Sequence, residues 1–99
     1  MINNLVKKKW SQKKTALNSF LSIPNTFTAE IMSEQGYDAL TIDIQHGMIG
    51  FNDLLTMLQS IRHSGVTPIC RVSGLDHAVI SKVMDAGALG IICPMVNTR

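Results

Sequence analysis

The stretch ALTIDIQHGMIGFNDLLTMLQSIRHSGVTPICRV, Ala39–Val72, decides the fold. It opens on Ala39–Ile44, a β-rich apolar run. Gln45-His46-Gly47 interrupts it, because neither a strand nor a helix pattern continues through those residues. Phe51–Ser64 follows, with Leu54, Leu55, Leu58 and Ile61 recurring at helical spacing. Gly65 ends that helix. Thr67–Val72 is a second apolar run, with Pro68 at its beginning, where a missing amide is tolerated. Strand, helix and strand with short connections form a βαβ unit.

The same alternation extends both ways. Upstream, Leu17–Ile23 reads as a strand stopped by Pro24 and Asn25. Asn25 or Thr26 can cap the next helix, Phe27–Gln35, since their side-chain oxygens can bond free amides at its start. Phe27, Ile31 and Met32 share one face of it, and Gly36 closes it. Downstream, Asp76 caps a helix through Ala86 whose apolar face is Val79, Ile80, Val83 and Met84. Gly87 ends it, and Leu89–Cys93 is a fourth strand stopped by Pro94. Nearly continuous apolar strands imply a sheet covered on both faces, the habit of parallel sheets.

An open doubly wound sheet and a (β/α)8 barrel both fit this order. The first strand-to-helix turn, Ser22-Ile23-Pro24-Asn25, lacks the glycine-rich phosphate fingerprint of dinucleotide folds. No GxxxxGK[ST] loop occurs either. A barrel takes about 250 residues, so 99 residues supply about half of one. The expectation is therefore α/β: the N-terminal half of a (β/α)8 TIM barrel over residues 16–99, preceded by a basic helix over residues 1–15. The end at Asn97-Thr98-Arg99, where the next helix should begin, reads as a truncation.

The formal charge of +2 points to no nucleic-acid partner. Five lysines (Lys7, Lys8, Lys9, Lys13, Lys14) and no acid fall in residues 1–14, and the remainder holds four basic and seven acidic residues. The plain reading of the first segment is a helix with a solvated lysine face and Val6 and Trp10 as an apolar stripe. A salt-sensitive RNA-binding arm is the more demanding reading. No apolar run approaches the roughly 18 residues of a membrane span, and no secretory signal is present. Cys70 and Cys93 form no CxxC pair and read as buried strand thiols of a reducing compartment. The expected location is cytoplasmic. The methionines read as core residues.

Charged groups set at apolar strand ends carry the functional signal. Asp43 and Arg71 lie at the C-terminal ends of predicted parallel strands, with His46 in the loop just beyond Asp43. That rim is where ligands bind in barrels and open α/β sheets alike. One reading is a purely structural Asp43–Arg71 ion pair with His46 a bystander. The other has Arg71 presenting its planar fork to an anionic substrate and His46 acting as general base. Asp85, near the end of the third helix, reads by spacing alone as a solvated carboxylate. His63 and His77 have no metal-like spacing.

Phe20-Leu21-Ser22, Ala29-Glu30-Ile31, Gly36-Tyr37-Asp38, Ile42-Asp43-Ile44-Gln45-His46-Gly47, Pro68-Ile69-Cys70-Arg71-Val72 and Val83-Met84-Asp85-Ala86-Gly87-Ala88, running into Gly90–Val96, fall in one familiar order. Over about residues 16–98 the chain resembles the HpcH/HpaI aldolases, the metal-dependent class II pyruvate aldolases. The resemblance implies cleavage or formation of 4-hydroxy-2-oxo or 2-keto-3-deoxy acids, with pyruvate and an aldehyde as the small-molecule partners. It gives His46 the proton transfer, Arg71 the stabilisation of the enolate, Asp85 the task of raising the imidazole's basicity, and Asp43 a supporting place at the same rim. It implies a homo-oligomer, a hexamer, with no nucleic-acid or membrane partner. It further implies a divalent ion, Mg2+, Mn2+ or similar, with ligands expected beyond residue 99, so that residues 1–99 alone should be inactive. Gln45 stands where many members have Glu, which bears on substrate preference. The alternative is a non-catalytic half-barrel serving as a binding or assembly module.

Overall fold

The computed structural model describes residues 3–98. Its elements alternate in the order helix α1 (Leu5–Ser11), strand β1 (Asn18–Leu21), α2 (Thr26–Ser33), β2 (Ala39–Asp43), α3 (Phe51–Ile61), β3 (Thr67–Arg71), α4 (His77–Asp85) and β4 (Gly90–Ile92). The strands form one parallel sheet in the order β1-β2-β3-β4. A doubly wound sheet reverses its strand order at a switch point. Here the order never reverses, and each crossover returns its helix to the same face. This is the progression of a (β/α)8 barrel.

Local chemistry explains the helix starts. The Asn25 side chain accepts from the Thr28 amide at 2.8 Å, so Asn25 is the cap of α2. The Gly50 amide donates to Asp53 at 3.2 Å, which holds the first turn of α3. Asp76 accepts from the amides of Ala78 and Val79 to start α4. After each of these helices the chain turns through a glycine with positive φ, at Gly36, Gly65 and Gly87.

In-register parallel neighbours share a face of the sheet, and alternate residues along a strand point to opposite faces. Leu21, Leu40, Ile42 and Cys70 therefore share the face that α2–α4 cover, and they pack with Ala29, Leu54, Leu58, Ile61 and Val83 in the core. Phe20, Thr41, Asp43, Ile69, Arg71 and Ile92 share the other face. That face is the barrel interior, and its polar residues sit in pairs. Thr41 Oγ1 donates to the Asn18 side chain at 2.9 Å.

The leading helix is shorter than expected. Residues 1 and 2 of the segment lie outside the described residues. The helix ends at Ser11, because Lys13 takes a left-handed φ of 56° and its amide bonds back to the Trp10 carbonyl. Nor is the apolar stripe realised, since Val6 is buried and Trp10 is exposed. What α1 does instead is tie down the N-terminal ends of three strands. The Val6 amide donates to Thr67 Oγ1 at 3.3 Å, Asn4 donates to the Leu89 carbonyl at 3.3 Å, and Lys9 pairs with Asp38 at 2.7 Å. Lys9 holds the Asp38 carboxyl below the usual carboxylate range.

Two other expectations need correction. Met57 is core, but Met48, Met84 and Met95 are exposed, the first and last because they sit in loops at the open rim. Cys70 is fully buried, whereas Cys93 lies just past β4 and is half-buried. No helix among the described residues is long and apolar enough to cross a membrane.

Candidate functional site

Asp43 and Arg71 end β2 and β3 and are direct register partners. Both point to the inner face, so their side chains meet. Arg71 Nε donates to Asp43 Oδ1 at 3.0 Å and Nη2 to Oδ2 at 2.6 Å, a two-point fork. The Asp43 side chain is only 3% exposed and that of Arg71 25%. A nearly buried carboxylate without its partner would be costly, so the pair is obligatory for Asp43. The hydrogen bonds from Arg71 hold the Asp43 carboxyl down at about 2, against the opposing effect of burial and with help from the amides of His46 and Gln45. Reciprocally, the carboxylate raises the pKa of the guanidinium.

The loop beyond β2 is built on the same carboxylate. Asp43 Oδ1 accepts from the Gln45 amide at 3.0 Å and the His46 amide at 3.2 Å. It is also anchored just past the end of β1, where the Met48 amide donates to the Ser22 carbonyl. His46, which is exposed, thus rides on a bend whose backbone is bound to the group that holds Arg71. His46 and Arg71 therefore stand at the same end of the sheet, with Asp43 between them.

Arg71 keeps donors to spare. A guanidinium has five N–H groups, and Asp43 engages one on Nε and one on Nη2. Among the described residues Nη1 has no hydrogen-bond partner, and the side chain is partly open to solvent. One face of the guanidinium lies over the Phe20 ring, 4.9 Å from its centroid. The inward fork and the aromatic face were not legible as a unit in the sequence. The one available signal was an aromatic on the inner-face parity of the first strand.

Asp85 is not brought to this cluster. It is the last residue of α4 and exposed, and a nine-residue helix is about 13 Å long. With His63, Gly65 and Pro68 it lines a hollow at the N-terminal ends of β3 and β4. A carboxylate there lies at the opposite end of the sheet from His46. Within one chain it remains the solvated helix carboxylate that its spacing indicates.

Behind the pair, Cys70 faces the helices. Burial pushes its thiol up to about 12, and the Asp43 charge adds to the shift, so it is inert as a nucleophile. Among the described residues no group of three or more His, Cys, Asp and Glu could hold a metal ion. The residues present do not fit the divalent ion that the resemblance implies.

Three comparisons place the chain among known proteins. Residues 17–99 match the model of the HpcH/HpaI aldolase/citrate lyase family. The chain is 43% identical over 96 residues to a hydroxypyruvate/pyruvate aldolase of Rhizorhabdus wittichii, covering 97% of this chain and 38% of that protein. It is 32% identical over 86 residues to the 2-dehydro-3,6-dideoxy-6-sulfogluconate aldolase of Pseudomonas putida, covering 87% and 34%. The crystal structure of an HpcH/HpaI aldolase from Desulfitobacterium hafniense superposes with a TM-score of 0.86 at 26% identity, over 97% of this chain and 38% of that one. The chain thus spans less than two-fifths of the length of these relatives.

Proposed function

The chain belongs to the HpcH/HpaI aldolase/citrate lyase family, and from that premise we propose that the protein is a carbon–carbon lyase that cleaves a 4-hydroxy-2-oxo acid to pyruvate and an aldehyde. The observation that carries this reading is the Asp43 carboxylate, bonded both to the Arg71 fork and to the backbone amide of His46. It ties the Arg71 guanidinium and the backbone of His46 to one strand-end rim, the place where such barrels do their chemistry.

In the cleavage direction His46 takes the proton from the substrate's C4 hydroxyl. The C3–C4 bond breaks, the aldehyde forms, and the bonding pair passes into a pyruvate enolate. Arg71 offers its free N–H groups to the oxygens that gain charge, a preorganised contribution that counts most in the transition state. A proton returned to C3 completes pyruvate. Asp43 is a positioning residue, since both of its oxygens are spent on Arg71 and the loop. Asp85 takes no part from within the same chain.

These steps use only side chains of residues 1–99. The divalent ion of the proposal, Mg2+ or Mn2+, draws its ligands from outside this stretch. A cytoplasmic homo-hexamer completes the proposal, with six copies as the expected result of light scattering on the purified protein.

A pyruvate-release assay on a 4-hydroxy-2-oxo acid with added Mn2+ tests the assignment. His46→Ala should lower kcat by roughly 100- to 10,000-fold, the usual contribution of a general base. Residues 1–99 alone should release no pyruvate. Full activity in His46→Ala and in Arg71→Ala would remove the basis for the proposal.

A further inference from the structure

We infer that Phe20 is a positioning residue for Arg71: its ring holds the guanidinium plane so that the Nη1 edge faces one fixed point at the rim. The inference rests on the role given to Arg71 above.

Phe20 sits on β1 with its side chain on the inner face, beside Thr41 of β2. Its ring, 44% exposed in this chain, lies on the face that forms the barrel interior. What its ring does contact is a cation, with Arg71 Cζ 4.9 Å from the centroid. The negative face of the ring attracts that charge.

The Asp43 fork cannot fix Arg71 by itself. Its two hydrogen bonds lie in the plane of the guanidinium and oppose rotation about the Cδ–Nε bond. They leave a hinge about the carboxylate, through which the Nη1 edge can tip out of plane. The Phe20 ring blocks that tipping on one side. It also keeps water from one face of the cation, which strengthens the attraction of the remaining edge for an anion. The three groups come from three successive strands, so the guanidinium is held along an edge by β2 and across a face by β1.

Aromaticity, and not bulk alone, is what this role needs. Phe20→Leu and Phe20→Met keep an apolar side chain without a ring, whereas Phe20→Trp keeps the ring. Oxalate, a planar anion with the outline of the pyruvate enolate, is the probe, titrated into the complete protein with Mn2+ present. A partly exposed cation–π contact corresponds to about a 2- to 5-fold change in an equilibrium constant. Phe20→Leu and Phe20→Met should therefore weaken oxalate by about that factor and lower kcat more than they raise KM, and Phe20→Trp should restore both. Unchanged oxalate affinity in the two ringless variants overturns the inference, as does a Phe20→Trp protein as impaired as they are. Arg71→Ala separates the two levels. If it abolishes oxalate binding while the ringless variants bind normally, only the role of Phe20 fails. If it too binds normally, the reading of Arg71 fails and takes that of Phe20 with it.

Discussion

Gly47 follows His46 in a place where only a glycine fits, and Gly47→Ala tests how tightly the loop is built. A Cβ at this position would run into the Asp43 carbonyl oxygen and sit 3.3 Å from both the Asp43 carbonyl carbon and Ser22 Cα. All three are backbone atoms, so no side-chain rotation relieves the clash. Either β1 and β2 separate, or the bend carrying His46 swings out. Overpacking of this kind costs about 1–3 kcal/mol. Swinging out also strains the bonds from Gln45 and His46 to Asp43 and from Met48 to Ser22, each worth about 1 kcal/mol net. A destabilisation of about 2–4 kcal/mol follows from these terms. Gly74→Ala is the control, because nothing lies within 4 Å of a Cβ there and its φ is not positive. That change should stay within about 0.5 kcal/mol of wild type. Urea unfolding, with pyruvate release measured in parallel on the complete protein, reads both effects. If Gly47→Ala is as stable and as active as Gly74→Ala, the loop is not wedged between the two strands and the account of His46 placement is wrong.

Three further outcomes are expected. The Asp43 carboxyl is held at about 2, below the ordinary carboxylate value of 3.8, so its contribution to stability is complete above about pH 4 and is lost as pH falls toward 2; Asp43→Asn should flatten that part of an acid unfolding curve. Thiol labelling at neutral pH should modify Cys93 first and leave Cys70 untouched until denaturant is added, since Cys70 is buried and its thiol is raised to about 12. Leu54→Ala, at a fully buried helix position, should cost about 2–5 kcal/mol in urea unfolding.

Much of this architecture is written in hydrophobic period. Phe51–Ile61 shows it best, because Leu54, Leu58 and Ile61 repeat on one helical face and all three are buried. Strand positions were equally legible, but their ends were not. Leu17–Ile23 shortens to Asn18–Leu21 because β1 finds partners only in Ala39–Ile42, and Leu89–Cys93 shortens to Gly90–Ile92 because β4 pairs only with Ile69–Arg71. Apolar composition sets where a strand can form, and the neighbour's register sets where it stops. The Asp43–Arg71 pair was readable, since two charges at equivalent ends of adjacent apolar strands have no other cheap arrangement. Within one chain Asp85, the last residue of α4, lies at the far end of the sheet from the tip of β3. Phe20 beneath Arg71 depends on side chains meeting across the sheet, and the Lys9–Asp38 bridge on where α1 docks, neither of which any spacing along the chain encodes.

The anchoring of α1 has a consequence for how the molecule is made. Its hydrogen bond from Asn4 reaches Leu89, 85 positions later in the chain. A ribosome adds about 5–20 residues per second, so Asn4 is synthesised roughly 4–17 s before its acceptor. Throughout that interval the lysine-bearing helix has no complete seat, and only the arrival of the fourth strand closes the lower end of the nascent sheet.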